Sequence, residues 1–270
     1  MEYGDKHILV LGAGASGIGA SWVLAQVGAH VVLNDYKPVT LPADEEKRLV
    51  SAGVDIITGR QDESLLDGVD RIVISPGISL DIPIVKAAQA RGIDVVSEVE
   101  VAYELSKSPI VAVTGTNGKT TTTTLLTKVL EGTGKPVRVG GNIGDSLSEV
   151  AYSMPADGFL VAELSSYQLE TIKHFRPIGA IMLNITPDHL ARHKTMENYI
   201  AAKERIFENQ LSTDFMVLNI DDPIVADMKH RAPSHILEIS QHQVVSNGAY
   251  YDKGQCYVSK NGTATPVIGS

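Results

Sequence analysis

The run Val111-Ala-Val-Thr114-Gly115-Thr116-Asn117-Gly118-Lys119-Thr120-Thr121 reads as a strand, a glycine loop and the start of a helix. Successive backbone N–H groups across 115–121 can cradle a polyphosphate, the Lys119 ammonium can sit on its outer phosphates, and the Thr120 hydroxyl can ligate magnesium. The loop is a shortened relative of the Walker pattern, because Val113 stands where that pattern has its first glycine. Gly-Lys-Thr-Thr directly after a β-branched strand is hard to explain as a mere turn, so a nucleoside triphosphate is expected here. Downstream, another strand would deliver Glu163 to the same edge, where a carboxylate can hold magnesium directly or through water.

Three further groups carry chemistry with weaker patterns. His189 and His193 have the i, i+4 spacing of a zinc pair, but no glutamate lies between them and no third ligand is evident. A single His189 facing the phosphates is the better reading. Lys203, between Tyr199 and Phe207, reads by itself as a solvated lysine on an amphipathic helix. Asp221 and Asp222 read first as turn and helix-cap residues.

A second glycine turn lies near the start of the chain, Gly12-Ala-Gly14-Ala-Ser16-Gly17, with Asp35 closing the strand that follows. Gly12 permits the tight turn, Gly14 lets phosphate oxygens approach the backbone, and Gly17 allows close helix packing. Asp35 could accept hydrogen bonds from a ribose or a base. The motif by itself suggests NAD, and which nucleotide it takes stays open on these residues. Ser75-Pro76-Gly77-Ile78 follows another apolar strand, at the edge where parallel sheets bind ligands.

These motifs need strands and helices to hold them, and the apolar pattern supplies both. Strands are predicted at 8–11, 31–33, 72–74 and 95–96, with helices near 16–27, 43–52, 82–91 and 98–105. Strand and helix alternation implies a parallel sheet. The polar, proline-closed stretch 106–109 is the expected boundary. Beyond it the pattern restarts, with strands at 110–113, 137–139, 159–162, 180–183 and 215–218 and a helix over 119–132. From Gln241 onward, Asn247-Gly248 and Asn261-Gly262 predict β-hairpin turns. The expected class is α/β, a Rossmann-like parallel sheet over 1–108 followed by a P-loop NTPase-like domain over 109–270.

Composition agrees with two buried cores: 43% of residues are hydrophobic and 20% charged, too apolar for a disordered chain. A net charge of -9 argues against a surface built for nucleic-acid phosphates or anionic lipid. The uncharged stretch 8–33 is long enough to span a bilayer, but its five glycines and β-branched ends fit a strand-turn-helix-strand better. A lone cysteine, Cys256, suggests a reducing compartment and a buried or inert thiol.

Taken together, the segments resemble the Mur ligases of peptidoglycan synthesis, in particular those that add D-glutamate. The carriers are the 12–17 turn, Ser75-Pro-Gly-Ile78, Thr114-Gly-Thr-Asn-Gly-Lys-Thr-Thr121, Gly141-Asn142-Ile-Gly144, Glu163-Leu-Ser165-Ser-Tyr-Gln168-Leu-Glu170 and Asp188-His189. The 163–170 string discriminates most, since sibling ligases and folylpolyglutamate synthases share the phosphate loop without it. The resemblance implies ATP and Mg2+ as cofactors, with UDP-N-acetylmuramoyl-L-alanine and D-glutamate as substrates. It places the UDP part on Gly14, Ser16, Asp35, Ser75, Pro76 and Gly77, and ATP phosphates on Lys119. Thr120 and Glu163 would hold one magnesium, and His189 with a carbamylated Lys203 a second. Lys119, His189 and Lys203 would be catalytic, while Asn142, Ser165, Gln168 and His189 would touch the muramoyl substrate.

In the resembled mechanism a substrate carboxylate attacks the γ-phosphate of ATP, and the D-glutamate amine captures the acyl phosphate. A cytoplasmic monomer with no nucleic-acid or membrane partner is expected. Two departures stand out. Ala191 replaces the second aspartate of the family's usual Asp-His-Leu-Asp-Arg-His, and the family's third domain does not appear before Ser270. The chain is therefore expected to be incomplete and inactive in ligation by itself. The rival expectations are an NAD-linked oxidoreductase and a non-catalytic nucleotide-binding fragment.

Overall fold

The computed structural model describes residues 3–268. Its first part is β1 (His7–Leu11), α1 (Ala15–Gln26), β2 (His30–Asp35), α2 (Ala43–Ser51), β3 (Asp55–Thr58), β4 (Arg71–Ile74), α3 (Pro83–Ala90) and β5 (Asp94–Ser97). All five strands are parallel, in the order β3-β2-β1-β4-β5. Both faces are covered, which is why the strands read as continuous apolar runs. Ile8, Val10 and Leu33 join Leu24 on one face, while Leu9, Leu11, Ile72 and Ile74 join Val85 on the other. The order reverses at β1, and that switch point leaves a crevice beyond the carboxyl ends of β1 and β4.

α4 (Glu98–Leu105) joins the two parts and belongs to both cores. It gives Val101 to the first and Val99 and Ala102 to the second. The second part comprises β6 (Ile110–Thr114), α5 (Lys119–Glu131), β7 (Val137–Gly141), α6 (Leu147–Ser153), β8 (Phe159–Glu163), α7 (Ser166–Leu169) and β9 (Gly179–Met182). It continues with α8 (Leu190–His193), α9 (Met196–Glu204), β10 (Phe215–Asn219), α10 (Pro223–Asp227), β11 (His235–Ser240), β12 (Gly248–Asp252), β13 (Gln255–Lys260) and β14 (Thr263–Ile268). These nine strands lie in the order β14-β13-β12-β11-β10-β9-β6-β8-β7. β7 to β12 are parallel, and β13 and β14 extend the sheet antiparallel.

The α/β class and the predicted strands stand, with β3 and β11 in addition. Neither carries the continuous apolar run of its neighbours, Asp55 opening the one and Glu238 interrupting the other. One expected turn does not form. Gly248 opens β12, which runs parallel to β11, so Asn247-Gly248 ends a crossover and not a hairpin. The hairpin turns are Lys253-Gly254 and Asn261-Gly262, each with positive φ at both residues. Cys256 is exposed on β13, so of the buried or inert thiol expected the buried alternative falls. The 8–33 stretch is β1, α1 and β2, and among the described residues no helix is long and apolar enough to cross a membrane.

The first glycine turn is fixed by close backbone approach. Gly12 has φ 102°, and a Cβ on Gly17 would lie 1.8 Å from the Gly12 carbonyl oxygen. Nothing lies within 4 Å of a Cβ on Gly14, whose φ is -85°. Gly17→Ala is therefore expected to cost about 1–3 kcal/mol or more through backbone displacement, and Gly14→Ala less than about 0.5 kcal/mol. Urea unfolding of the two variants checks the contrast.

Candidate active site

The phosphate loop leaves β6 at Thr114 and enters α5 at Lys119. Gly115 (φ 147°) and Gly118 (φ 83°) supply the left-handed backbone that such a loop requires. The neighbouring strand holds it in shape. A Cβ on Gly115 would stand 2.9 Å from Leu183 Cβ just beyond β9. The Asn184 side chain accepts from Asn117 N at 2.8 Å and donates to Asn117 O at 3.0 Å, while Thr116 N donates to Asn184 O at 2.9 Å. Thr116 Oγ1 also donates to Thr186 O and lies 3.0 Å from the Tyr199 hydroxyl. Lys119 curls over the loop, its ammonium donating to Gly115 O at 3.1 Å and Thr116 O at 2.9 Å. Thr120 and Thr121 follow it in the first turn of α5.

β8 lies between β6 and β7, with Glu163 in register with Val113 on one side and Gly141 on the other. Glu163 is buried at 1% exposure. Its Oε1 accepts from Asn142 Nδ2 at 3.0 Å, and its Oε2 is buried with no hydrogen-bond partner. An orphaned carboxylate oxygen costs about 1–3 kcal/mol or more, and a cation at that point would offset the cost. The glycine before Asn142 is required, since a Cβ on Gly141 (φ 109°) would stand 2.4 Å from Glu163 O. Among the described residues no three His, Cys, Asp or Glu side chains form a metal cluster. An ion held by Glu163 and Thr120 would therefore take its other oxygens from phosphate and water, as magnesium commonly does.

Lys203 is not the solvated lysine that its helix pattern suggests. α9 packs under the phosphate loop and leaves Lys203 2% exposed, its ammonium donating to Gly115 O at 2.7 Å and to Thr114 Oγ1 at 3.4 Å. The ammonium also lies 5.0 Å from the Tyr199 ring centroid. Burial, and then the charge of Lys119, lower its pKa from 10.5 to about 7, against a smaller opposing pull from Asp188.

The two histidines diverge, which removes the zinc-pair reading. His189 sits at φ 54° with a half-exposed side chain, its ring 4.8 Å from Tyr167 and its Nε2 3.4 Å from Asp188 Oδ2. His193 turns inward, with Nε2 2.9 Å from Ser166 Oγ and Nδ1 3.4 Å from Glu170 Oε1, and burial lowers its pKa. Ser165 and Gln168 form a reciprocal capping box at α7, which already uses part of their polar capacity. Asp222 caps α10, as expected, and also accepts from Ile185 N, while Asp221 caps no helix and instead ties the turn after β10 to the end of β11 by accepting from Ser240 and Gln241.

At the first turn Asp35 accepts from Ala13 N and Lys37 N, both at 3.0 Å, and the Ser75 hydroxyl donates to Gly12 O at 3.2 Å. Gly14, Ser16, Asp35, Ser75, Pro76 and Gly77 thus share the carboxyl edge at the switch point. The two parts meet tightly beside this turn. A Cβ on Gly19 would overlap Ser146 Oγ at 2.1 Å. Glu98, 2% exposed with its pKa raised by burial, accepts from the Ser146 hydroxyl and from Ser148 N at 2.9 Å.

The sequence alone did not single out Thr114, Asn184, Glu98 or Arg192. Thr114 and Asn184 were findable as residues at or just past strand ends on the binding edge; Glu98 and Arg192 show their roles only through partners distant in sequence.

Comparison with known proteins settles the family. The profile of the Mur ligase middle domain matches residues 113–269, and that of the Mur ligase MurD-like N-terminal domain matches residues 6–97. The chain belongs to the Mur ligase family. A UDP-N-acetylmuramoylalanine--D-glutamate ligase of Thermoanaerobacter sp. (strain X514) is 46% identical over 268 residues, 99% of this chain and 59% of the relative. That of Pelotomaculum thermopropionicum (strain DSM 13744 / JCM 10971 / SI) is 44% identical over 269 residues, again 59% of its length. The chain thus spans just under three fifths of these relatives. Among solved structures, a UDP-N-acetylmuramate:L-alanyl-gamma-D-glutamyl-meso-diaminopimelate ligase from Neisseria meningitides superposes with TM-score 0.62 at 20% identity, covering 96% of this chain and 86% of that one. A murein peptide ligase from Psychrobacter arcticus 273-4 gives TM-score 0.57 at 20% identity, covering 98% and 61%. Both show the Mur ligase fold.

Burial of Lys203 gives this Mur ligase chain a pH signature. Between pH about 7 and the ordinary 10.5, the unfolded chain holds a proton on Lys203 that the folded chain has lost. Stability should therefore rise with pH across that window, by at most about 1.4 kcal/mol per pH unit from this group, with no contribution below it. In Lys203→Met the rise should flatten, as urea unfolding from about pH 7 to 9 would show.

Proposed function

We propose that this chain is the UDP-substrate-binding and ATP-binding part of a ligase that joins D-glutamate to UDP-N-acetylmuramoyl-L-alanine. Residues 1–108 and 109–270 are its two domains, and both glycine turns and the seam between them lie within one copy, so the reading needs only a monomer. A reaction that consumes ATP and a nucleotide sugar belongs in the cytoplasm. The observation that carries the reading is the pairing of the Lys119 loop with the orphaned Glu163 oxygen on the adjacent strand. It is supported by relatives of that activity matched along 99% of this chain.

In this reading the backbone of Gly115, Thr116, Asn117, Gly118, Thr120 and Thr121 orients the ATP phosphates, and the Lys119 ammonium moves from the loop carbonyls onto their outer oxygens. Magnesium, when bound, neutralises charge on the transferring phosphoryl group. Thr120 and Glu163 would hold one ion; His189 and Lys203 would hold a second once the Lys203 amine has added to carbon dioxide, losing a proton and becoming an anionic carbamate. A pKa near 7 favours that step, because the neutral amine is the nucleophile. Gly14, Ser16, Asp35, Ser75, Pro76 and Gly77 would hold the uridine diphosphate, and Asn142, Ser165, Gln168 and His189 the muramoyl end. The chain's own contribution is positioning and charge.

Lys119→Ala is expected to lower magnesium-ATP affinity by about tenfold or more, the loss of one charge-assisted hydrogen bond, with the fold intact. Calorimetry reads this directly, and unchanged affinity would remove the phosphate-loop reading. The first turn is expected to prefer UMP to NAD in an NMR competition, and a clear preference for NAD would return it to oxidoreductase chemistry.

A further inference from the structure

The two sets of loops come from different sheets, so any ligand reaching both depends on how the sheets are held together. One link runs through α8. Arg192 is 16% exposed; its Nε donates to the Glu170 carboxylate at 3.1 Å, its Nη2 donates to the same carboxylate, and its Nη1 donates to Ile78 O at 2.7 Å. The guanidinium carbon lies 4.8 Å from the Tyr167 ring centroid. Ile78 ends the 75–78 loop, and Ser75 at its start donates to Gly12 O. One hydrogen-bonded path therefore joins Glu170, Arg192, the 75–78 loop and the first glycine turn. Arg192 itself lies on α8, which begins one residue after His189. A planar guanidinium can fork between a carboxylate and a carbonyl in fixed directions, whereas a lysine ammonium cannot.

We infer that Arg192 is a positioning residue, which sets the spacing between the ligand loop of the first sheet and the His189 end of the second-sheet site. This rests on the reading that the first turn holds uridine diphosphate and the second sheet the muramoyl end. A ligand spanning both sheets gains from a fixed spacing, because its second contact is made at high effective concentration. A ligand confined to one sheet gains nothing.

Calorimetry on residues 1–270 with three probes tests this: UMP, magnesium-ATP and UDP-N-acetylmuramoyl-L-alanine. In Arg192→Lys and Arg192→Met, affinities for UMP and ATP should stay within about twofold, while affinity for the spanning substrate falls at least about fivefold. Undiminished binding of the spanning substrate by a folded variant overturns the inference. Equal losses for all three probes also overturn it, since they mark a general structural role. Absence of UMP binding by the unaltered chain would instead fault the ligand reading, and a ligand-free measurement then decides. Spin labels at Lys86→Cys and Leu211→Cys, two exposed positions on opposite parts, in a Cys256→Ser background should report a broader distance distribution once Arg192 is replaced. An unchanged distribution overturns the inference.

Discussion

Two ammonium groups donate to one carbonyl. Lys119 reaches Gly115 O at 3.1 Å from above the loop and Lys203 reaches it at 2.7 Å from beneath, and among the described residues neither has a carboxylate within ion-pair distance. Like charges this close repel, and burial removes the water that would screen them. The arrangement persists because the backbone around it is over-determined: Gly115 is wedged against Leu183, Asn184 holds Asn117 at both ends, and Thr114 is tied to Leu164. Excess positive potential at a loop of free N–H groups is what an anion with several charges would relieve. The same loop also explains why Glu163 stands one strand away with an unpaired oxygen, since a cation brought in with that anion would have a ligand waiting.

Strand order converts this local tension into a site. In a parallel sheet every strand delivers its last residue to one edge, so β6, β8 and β9 bring Thr114, Glu163 and Asn184 together although they are far apart in sequence. The first sheet does the same at its switch point with Gly12, Asp35 and Ser75. Tight packing of Gly19 on Ser146 and the Arg48–Glu149 ion pair at 2.5 Å press the two parts together beside those edges. Position along the strand, more than residue type, decides which polar groups face the crevice.

That logic sets what could be read without a structure. Strands that are apolar on both faces announce themselves, and a glycine turn directly after one fixes both the loop and its edge; the placing of Lys119, Thr120, Glu163 and Asp35 at strand ends and helix starts was legible for that reason. β3 and β11 were not, because Asp55 and Glu238 break their apolar runs and only pairing with a neighbour makes them strands. Asn247-Gly248 misled because a positive φ suits a crossover ending as well as a hairpin. Lys203 looked like a solvated residue because helical spacing says which residues share a face, and not what covers that face. Glu98 shows the same limit: its partners Ser146 and Ser148 lie on the other side of the phosphate loop in sequence, and burial between them exists only once both sheets are assembled.

Ala191 can be weighed in the same terms. The family's usual aspartate at this place, beside an arginine and two histidines, suggests a local charge network that its loss would unbalance. Here the guanidinium of Arg192 is already neutralised by Glu170, whose carboxylate also lies 3.4 Å from His193, and the Ala191 carbonyl accepts from Lys194 at 2.9 Å. No cation on α8 is therefore left buried and unpaired by the missing carboxylate, which is the condition under which such a loss would be costly. Asp188, just before the helix, remains half-exposed beside His189, and its charge opposes the lowering of the Lys203 pKa. The negative charge that matters to the buried lysine thus comes from position 188, and the charge that matters to Arg192 comes from Glu170 just past α7, so the alanine falls between two networks that are each already closed.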